Sequence, residues 1–322
     1  IEAVTDSGAN ISTSLAPDGS RLVISVLAFP AFPPTIAYDL HEPEPVMEPY
    51  EFPEAIVVGF GAYTLAVSPF GGVQLLDPDH EPMGPPVPVP PDVTDVAASP
   101  DGRFFALGRL NGTIELYSAA GELLAALPMS DGAETGQLLP GPVFSEDGQW
   151  LGANDALDDT EALWSTDTLE RIEIPVDGRG RLVGDWYMHY EDQGMVQPLD
   201  PASFEAVGVP LIDAGIAYPT VDGDNSLYAS NVGGEAVRVW DVASGRPLGD
   251  DLPFAPLRIY FSEDGSILAV PTEDRMTLWN YDTGTWADIA CEVAGRNLTA
   301  EEWEEFGPRT IARRATCDEY PL

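Results

Sequence analysis

Residues 93–127 read VTDVAASPDGRFFALGRLNGTIELYSAAGELLAAL, and they contain four short runs in which apolar and polar side chains alternate. Alternation with a period of two is typical of β-strands that bury one face. The Pro-Asp-Gly at 100–102 predicts a tight turn, because Pro fixes φ, Asp accepts hydrogen bonds from its own backbone and Gly tolerates positive φ. The stretch therefore predicts a small antiparallel sheet of four strands.

The same layout recurs along the chain at a spacing of about 40 residues. Segments 143–174 and 257–286 both contain Ser-Glu-Asp-Gly, 219–248 contains Val-Asp-Gly, and 11–26 contains Ala-Pro-Asp-Gly. Repeated units of four short antiparallel strands are typical of the blades of a β-propeller. The repeat therefore predicts an all-β propeller.

Several of these segments resemble the WD-repeat family. VRVWDVASG (237–245) is a full match to the family pattern, and MTLWNYDTG (276–284) and EALWSTDTL (161–169) are near matches. The resemblance implies that Trp164, Trp240 and Trp279 lie in packed layers and that Asp241 has a structural role. The Gly-His pair that opens a standard repeat is missing, and the three histidines fall elsewhere, at His41, His80 and His189.

The remaining copies bring the predicted number of blades to seven. They are IELYSAAGE (114–122), VQLLDPDHE (73–81) and two degenerate segments near 11–52 and 181–211. The prediction is thus an all-β fold, a seven-bladed WD-type β-propeller over residues 1–288. Residues 1–6 are expected to supply the outer strand of the last blade, since closure removes exposed sheet edges. The alternative is a disordered N-terminus.

The C-terminal residues 289–322 are predicted to form a short helical tail. Apolar residues at helical spacing precede Gly295, which is placed to end a helix. Thr299 and Glu302 have the spacing of a capping box, and Leu298 and Trp303 that of a hydrophobic staple. We expect the tail to form a helical clasp packed on the last blade.

The two cysteines lie in this tail. Cys291 and Cys317 form either a disulfide or, in a reducing cytosol, two buried thiols. A zinc site is not expected, because no histidine or third cysteine is near them. Asn297 begins an Asn-Leu-Thr sequon, but its place beside a helix cap does not favour glycosylation.

The tail also resembles the end of WD-repeat propellers in large bacterial signalling ATPases of the NACHT or STAND type, which are abundant in actinobacteria. Some of those proteins carry a transcriptional-activator domain. The matching positions are Ala290, Cys291, Ala294, Gly295, Arg296, Asn297, Leu298, Thr299, Glu302, Trp303, Thr316 and Cys317. The resemblance implies a cytoplasmic sensor or autoinhibitory module, with other domains in a longer parent chain.

The net charge of −40 arises from 54 acidic and 14 basic residues, and all of the basic residues are arginine. This charge repels phosphate backbones and anionic lipids, so direct binding to nucleic acid or a membrane surface is not expected. No apolar run approaches the roughly 20 residues of a membrane-spanning helix. The absence of lysine excludes Schiff-base chemistry and P-loop phosphate binding within these residues.

The predicted function is non-catalytic binding of a protein or peptide, with no cofactor and no metal. The sequence motifs of serine hydrolases, dinucleotide-binding enzymes and zinc proteases do not occur. The alternatives are a propeller enzyme, such as a metal-dependent lactonase or a glycan-active hydrolase, and a purely structural scaffold. The acidic segment that contains Asp155 and Glu161 lacks the spacing of a known calcium loop.

Binding is expected at the loops between second and third strands, which rim one face of a propeller channel. The candidate residues there are Arg109, Asn111, Asp158, Asp159, Asn231, Glu273 and Arg275. The apolar connection at 28–35 adds Phe29 and Phe32 as candidates.

Overall fold

The structure is a computed structural model with two compact units, Ile1–Leu278 and Trp279–Leu322. The residues that it describes are 10–15, 21–27, 36–39, 47–49, 56–60, 63–68, 72–77, 81–88, 90, 92–129, 140–155, 161–176, 179–191, 194–215, 217–256, 258–262, 265–272, 276–281, 283–306, 312–317 and 319–321. The expected closing strand at residues 1–6 lies outside these ranges.

Antiparallel strands form seven small sheets in the described part of the chain, and the strands of each sheet follow one another in sequence. Sheet 1 contains β1 (Asn10–Leu15), β2 (Arg21–Leu27), β3 (Ile36–Asp39) and β4 (Met47–Pro49). Sheet 2 contains β5 (Ile56–Phe60), β6 (Tyr63–Ser68) and β7 (Gly72–Leu76). Sheet 3 contains β8 (Val93–Ala98), β9 (Phe104–Arg109), β10 (Thr113–Ser118) and β11 (Leu123–Pro128). The expected all-β class is thereby confirmed.

The remaining sheets have the same arrangement. Sheet 4 contains β12 (Pro140–Phe144), β13 (Trp150–Asp155) and β14 (Glu161–Ser165). Sheet 5 contains β15 (Arg179–Val183), β16 (Trp186–Glu191) and β17 (Met195–Leu199). Sheet 6 contains β18 (Ala217–Val221), β19 (Leu227–Val232), β20 (Ala236–Asp241) and β21 (Arg246–Pro247). Sheet 7 contains β22 (Tyr260–Phe261), β23 (Ile267–Pro271) and β24 (Met276–Asn280).

Isolated bridges add a fourth segment to three of the three-stranded sheets. In sheet 4, Trp164 pairs with Arg171. The other two cases are sheet 2, where the pairs are Val73 with Val87 and Leu76 with Pro82, and sheet 5, where they are Val196 with Leu211 and Leu199 with Ala206. These sheets therefore approach the four-strand pattern that the repeat predicts.

The first strands of successive sheets contact one another. β1 contacts β5, β5 contacts β8, and the contacts continue through β12, β15 and β18 to β22. The last of these strands, β22, also contacts β1. The seven first strands thus form an unbroken series of neighbours.

A buried polar side chain holds the turn between first and second strands. The hydroxyls of Ser99, Ser145 and Ser262 each accept the backbone N–H five residues further on, at 2.9 Å. In sheet 6 a carboxylate does the same, since Asp222 accepts the N–H of Leu227 at 2.8 Å. The three serines are almost completely buried. Each of their turns contains a glycine with positive φ, as the Asp-Gly pattern predicts, whereas in the turn of sheet 6 the residue with positive φ is Asn225.

Each of these turns also meets the turn of the next sheet. A Cβ atom at Gly148 would lie 2.7 Å from a carboxylate oxygen of Asp101, in the preceding sheet. The carboxylate of Asp185 accepts the N–H of Asp147 at 2.8 Å and the side-chain amide of Asn225 at 2.8 Å. Sheets 3 to 6 are therefore linked through their turns as well as through their strands.

Apolar side chains fill the space between neighbouring sheets. One cluster joins sheets 3 and 4 and includes Trp164, and another joins sheets 5 and 6 and includes Trp240. Both tryptophans are fully buried, as predicted, and the N–H of Ser244 bonds to the Asp241 carboxylate at 2.8 Å. Trp279 differs from the prediction, because it is 37% exposed. It lies on β24, after which the chain turns into a helix.

The second unit contains two helices, α1 (Thr283–Ala294) and α2 (Ala300–Phe306). α1 begins six residues before residue 289, where the sequence predicts the start of the helical tail. Its first turn is fixed by Trp286, whose ring packs on Tyr281 at 5.2 Å and whose indole N–H bonds to the Asn280 carbonyl at 2.6 Å. The helix ends at Gly295, as predicted, with a φ of 62°.

The capping box of α2 is confirmed. The Glu302 N–H bonds to the Thr299 hydroxyl at 3.2 Å, and the Thr299 N–H bonds to the Glu302 carboxylate at 2.8 Å. Arg296 forms an ion pair with Glu302 at 2.7 Å, and this contact lowers the pKa of the Glu302 carboxyl to about 2. The contact between Leu298 and Trp303, and the packing of the tail on a blade, stay predictions.

Asn297 and a disulfide hold the end of the chain. Cys291 and Cys317 are bonded, which decides between the two alternatives. The Asn297 side chain is buried; its oxygen accepts the N–H groups of Thr316 and Cys317 at 2.7 and 2.8 Å. Its amide group donates to the carbonyls of Cys317 and Tyr320 at 3.1 and 2.5 Å. The folded tail therefore encloses the Asn297 side chain.

We expect Gly148→Ala to destabilise the protein more than Gly234→Ala. Both glycines have positive φ, so both substitutions introduce backbone strain, but a Cβ atom at Gly234 meets nothing within 4 Å. The additional overlap with Asp101 should lower the free energy of unfolding of Gly148→Ala by a further ~1–3 kcal/mol. Urea unfolding of the two variants measures the difference. Equal losses would mean that the turns of sheets 3 and 4 do not pack together.

We expect Asn297→Asp to open the C-terminal tail. The substitution places a carboxylate oxygen against the carbonyls of Cys317 and Tyr320, where the amide now donates. Leaving these buried groups unpaired costs about 1–3 kcal/mol, so hydrogen exchange in 312–321 should become faster. Asn111→Asp is the control, because Asn111 uses its side-chain oxygen to accept the N–H of Thr113, which a carboxylate also accepts. Unchanged exchange in Asn297→Asp would show that Asn297 does not hold the tail.

Candidate functional site

The structure describes three of the predicted rim residues, and each already has a local role. The Arg109 guanidinium pairs with Asp92 at 2.7 Å and with Glu115 at 2.5 Å. Asn111 accepts a backbone N–H within its own turn. Asn231 is buried, and its side-chain oxygen accepts an N–H from Gly234 at 2.8 Å. The other predicted contact residues lie outside the described ranges: Phe29, Phe32, Asp158, Asp159, Glu273 and Arg275.

A different group of residues shares one position on or beside the first strands of five consecutive sheets. Each member lies four places before a reference residue at the junction of the first strand and its turn. The reference residues are Ser99, Ser145, Val183, Asp222 and Ser262. We call this group the first-strand set. Its members are Asp95, Gly141, Arg179, Tyr218 and Arg258.

Contacts within the first-strand set join neighbouring sheets. The Arg258 guanidinium lies 5.8 Å from the centre of the Tyr218 ring, which connects sheets 7 and 6. A Cβ atom at Gly141 would lie 3.3 Å from a carboxylate oxygen of Asp95, which connects sheets 4 and 3. Within the set, Tyr218 and Arg258 are therefore neighbours in space, and so are Asp95 and Gly141.

Asp95 and Arg258 act on each other although their sheets are not consecutive. Burial raises the pKa of the Asp95 carboxyl, and the Val96 N–H and the positive charge of Arg258 act in the opposite direction. The Asp95 side chain is nevertheless exposed to solvent. Asp95 and Arg258, which lie on or beside the first strands of sheets 3 and 7, are therefore close enough for their charges to interact.

Tyr218 has a strained backbone. Its φ is 53°, in the left-handed region that a bulky aromatic residue rarely adopts. The pairing of β18 with β19 is irregular between Ala217 and Thr220. The bulge leaves the Tyr218 side chain 42% exposed beside Arg258. Strain of this kind costs of order 1–3 kcal/mol and clusters at functional sites.

A second polar group lies between sheets 4 and 5, and we call it the Glu161 cluster: Glu161, Arg181, Tyr187 and Tyr190. The Tyr187 hydroxyl donates to the Glu161 carboxylate at 2.6 Å. Burial raises the pKa of the Glu161 carboxyl to about 7, against the opposing effects of the Tyr187 hydroxyl and the Arg181 charge. The cluster therefore contains a carboxyl that titrates near neutral pH.

Three buried polar atoms, two in this cluster and one beside it, have no hydrogen-bond partner among the described residues. They are Nε of Arg181, the hydroxyl of Tyr190 and Nδ1 of His189. Unpaired buried polar atoms are rare in folded proteins and call for a partner such as water or a ligand. Tyr190 lies directly opposite Arg179 in the pairing of β16 with β15. Tyr190 is therefore the strand partner of one member of the first-strand set.

The first-strand set does have a signal in the sequence. Counting back four residues from the turns in VTDVAASPDG, AYPTVDG and LRIYFSEDG gives Asp95, Tyr218 and Arg258. Positions facing an apolar core do not carry such residues without partners. The strain at Tyr218 and the unpaired atoms of the Glu161 cluster have no comparable signal, because they depend on packing between sheets.

Comparison with protein-family models gave no match, and comparison with curated protein sequences gave no significant match. Within the described ranges, no helix is long and apolar enough to cross a membrane. In the same part of the chain, no three His, Cys, Asp or Glu side chains lie close enough together to hold a metal ion.

We expect Glu161→Gln to remove one component of the pH dependence of stability. The folded-state pKa of about 7 exceeds the ordinary value of 4.5, so the stability that neutral Glu161 contributes is fully present below pH 4.5 and is lost as the pH rises through 7. Between these values the free energy of unfolding of the wild type should fall by on the order of 2 kcal/mol relative to that of Glu161→Gln.

Urea unfolding at a series of pH values measures this difference. The exposed Glu122→Gln is the control for removal of one negative charge, and its stability should follow that of the wild type across the range. If Glu161→Gln also follows the wild type, Glu161 does not titrate near neutral pH.

Proposed function

We propose that the first unit is a closed, seven-bladed β-propeller of the WD type. Seven antiparallel sheets in chain order support this, as does the series of contacts between first strands that returns from β22 to β1. Closure of this kind protects sheet edges that an open stack would leave exposed. The recurrent buried side chain at the first turn gives the sheets a common register.

We also propose that this propeller is a non-catalytic binding module for a protein or peptide. The exposed pair of Tyr218 and Arg258, with the Asp95 carboxylate close enough for its charge to interact with Arg258, carries this proposal. Residues from several sheets that meet in a concave, solvent-filled space are typical of ligand sites. A rigid ring suits such a role, because the binding groups are held in place before the ligand arrives.

The proposed biological setting is a larger bacterial signalling protein in which the module acts as a sensor. The resemblance of the C-terminal tail supports this setting, through residues such as Cys291, Asn297 and Trp303. The reading frame that encodes this chain should then also encode a nucleotide-binding ATPase region, and a secretion signal in its place would contradict the cytoplasmic assignment.

An enzyme is the second candidate, because of Glu161. A buried carboxyl with a pKa of about 7 is suited to general acid or base catalysis. Its hydroxyl partner, Tyr187, is largely buried as well. Hydrolysis of chromogenic lactones or glycosides by the wild type, and not by Glu161→Gln, would favour this function over binding alone.

We expect peptides selected on the wild-type protein to depend on Tyr218. A phage-displayed peptide library is panned on the immobilised protein, and the selected peptides are synthesised and titrated. Tyr218→Gly removes the ring and relieves the backbone strain, so that the fold is kept while binding falls by ~10-fold or more. Asp213→Gly is the control, because Asp213 is exposed and also has a positive φ. Peptides that bind Tyr218→Gly as tightly as the wild type would place the binding surface elsewhere.

A further inference from the structure

We propose that the first-strand set recognises a carboxylate of a bound peptide, with Arg258 on its Tyr218 platform as the principal contact. This inference rests on the proposed binding function and adds the chemical class of the ligand. The carboxylate belongs either to an acidic side chain or to the C-terminus of the peptide.

The charge of the set is opposite to that of the whole chain. The chain has a net charge of −40 and only 14 arginines. Two of them, Arg179 and Arg258, belong to this set of five residues, which includes one acid, Asp95. A positive site inside a strongly negative protein attracts an anionic group at short range, while the surrounding charge repels large anions such as nucleic acids.

The geometry of Arg258 suits a carboxylate. A guanidinium that stacks on an aromatic face is held by the ring and keeps its N–H donors at the edge of its plane. Those donors match the two oxygens of a carboxylate in a bidentate pair. Both Arg258 and Tyr218 are exposed, and 5.8 Å separates the guanidinium carbon from the ring centre.

The strain at Tyr218 is an independent reason to assign a ligand to this place. A turn or bulge with positive φ is most easily made with Gly, yet the chain has a tyrosine here with a φ of 53°. The ring gains little packing in return, since it is 42% exposed. A ligand that packs on the ring and bonds to Arg258 supplies the contact that offsets this strain.

One further group extends the site. Asp95 lies close to Arg258 with the opposite charge and can accept backbone N–H groups of the ligand. A small inorganic anion has no N–H group that could donate to Asp95, whereas a peptide presents N–H donors on either side of its carboxylate. This combination favours a peptide.

Three tetrapeptides test the inference. One has a side-chain carboxylate (acetyl-Ala-Ala-Asp-Ala-amide), one has a terminal carboxylate (acetyl-Ala-Ala-Ala-Ala with a free C-terminus), and one has neither (acetyl-Ala-Ala-Asn-Ala-amide). Each is titrated into protein labelled with ¹⁵N-arginine, and the Nε–Hε signals are followed. We expect saturable shifts of the Arg258 signal with at least one carboxylate peptide and none with the asparagine peptide. The two carboxylate peptides distinguish the two sources.

Variants identify the residue that binds. Arg258→Gln should weaken binding by ~10-fold or more, because a charge-assisted bidentate pair is lost. Arg258→Lys should restore part of the affinity, since it keeps the charge without the planar donors. Arg246→Gln is the control, because Arg246 is exposed on β21 and does not belong to the set. Thermal unfolding of each variant confirms that it is folded.

The inference is overturned if no carboxylate peptide shifts the Arg258 signal in a saturable way, or if Arg258→Gln and Arg246→Gln weaken binding equally. Two other outcomes distinguish a failure of this inference from a failure of the proposed binding function. If library-selected peptides without a carboxylate lose affinity for Tyr218→Gly, the site binds peptides but does not select carboxylates. If carboxylate peptides bind at Arg258 while library-selected peptides bind Tyr218→Gly as tightly as the wild type, the site is a carboxylate site outside the protein-binding surface.

Discussion

The buried polar side chain at the first turn of sheets 3, 4, 6 and 7 is the constraint on which the candidate site depends. Its oxygen accepts an N–H five residues further on, in a place that water does not reach. An unmade bond there would cost about 1–3 kcal/mol, and a slip of one residue would also turn every strand side chain to the wrong face. In sheets 3 and 4 the residue four places earlier, Asp95 or Gly141, therefore pairs at the same level of the next strand. In sheet 6 the irregular pairing of β18 with β19 displaces Tyr218 from that level, and its ring lies beside Arg258.

The repeat separates positions that hold the fold from positions that are free to vary. The turn positions in sheets 3, 4, 6 and 7 are polar and buried, and the next strands pair from them in the same way. Four residues earlier, the same strands carry an acid, a glycine, a tyrosine and an arginine. A position that the fold does not restrict in size or charge is available for recognition, so the scaffold and the site can occupy one strand without conflict.

Local signals in the sequence predicted the parts of the structure that depend on local physics. The Asp-Gly turns, the stop at Gly295 and the capping box of Thr299 and Glu302 each involve residues within a few positions of one another, and all three are present. The helical tail begins earlier than residue 289, because α1 starts at Thr283 and its first turn is fixed by the contacts of Trp286 with Tyr281 and Asn280.

The candidate site could be predicted only in part, for a related reason. Its members are visible as an aligned position, but the sequence does not say which strand side chains share a space. Arg109 shows the difficulty, since its loop position favoured a binding role while Asp92 and Glu115 hold it in ion pairs. Those partners lie 17 and 6 residues away in the sequence, and only the pairing of β8, β9 and β10 brings them together.

The contrast between Arg109 and Arg258 indicates what separates a structural arginine from one suited to a ligand. Two carboxylates occupy the N–H donors of Arg109, and its side chain is only 17% exposed, so a ligand would have to displace both partners. Arg258 lies over a ring, which stabilises the cation from its face without using its N–H groups. In a chain with 54 acidic residues, carboxylates are available to most arginines. An arginine placed on an exposed, strained tyrosine is therefore better suited to a ligand carboxylate than Arg109 is, although the charge of Asp95 also acts on it.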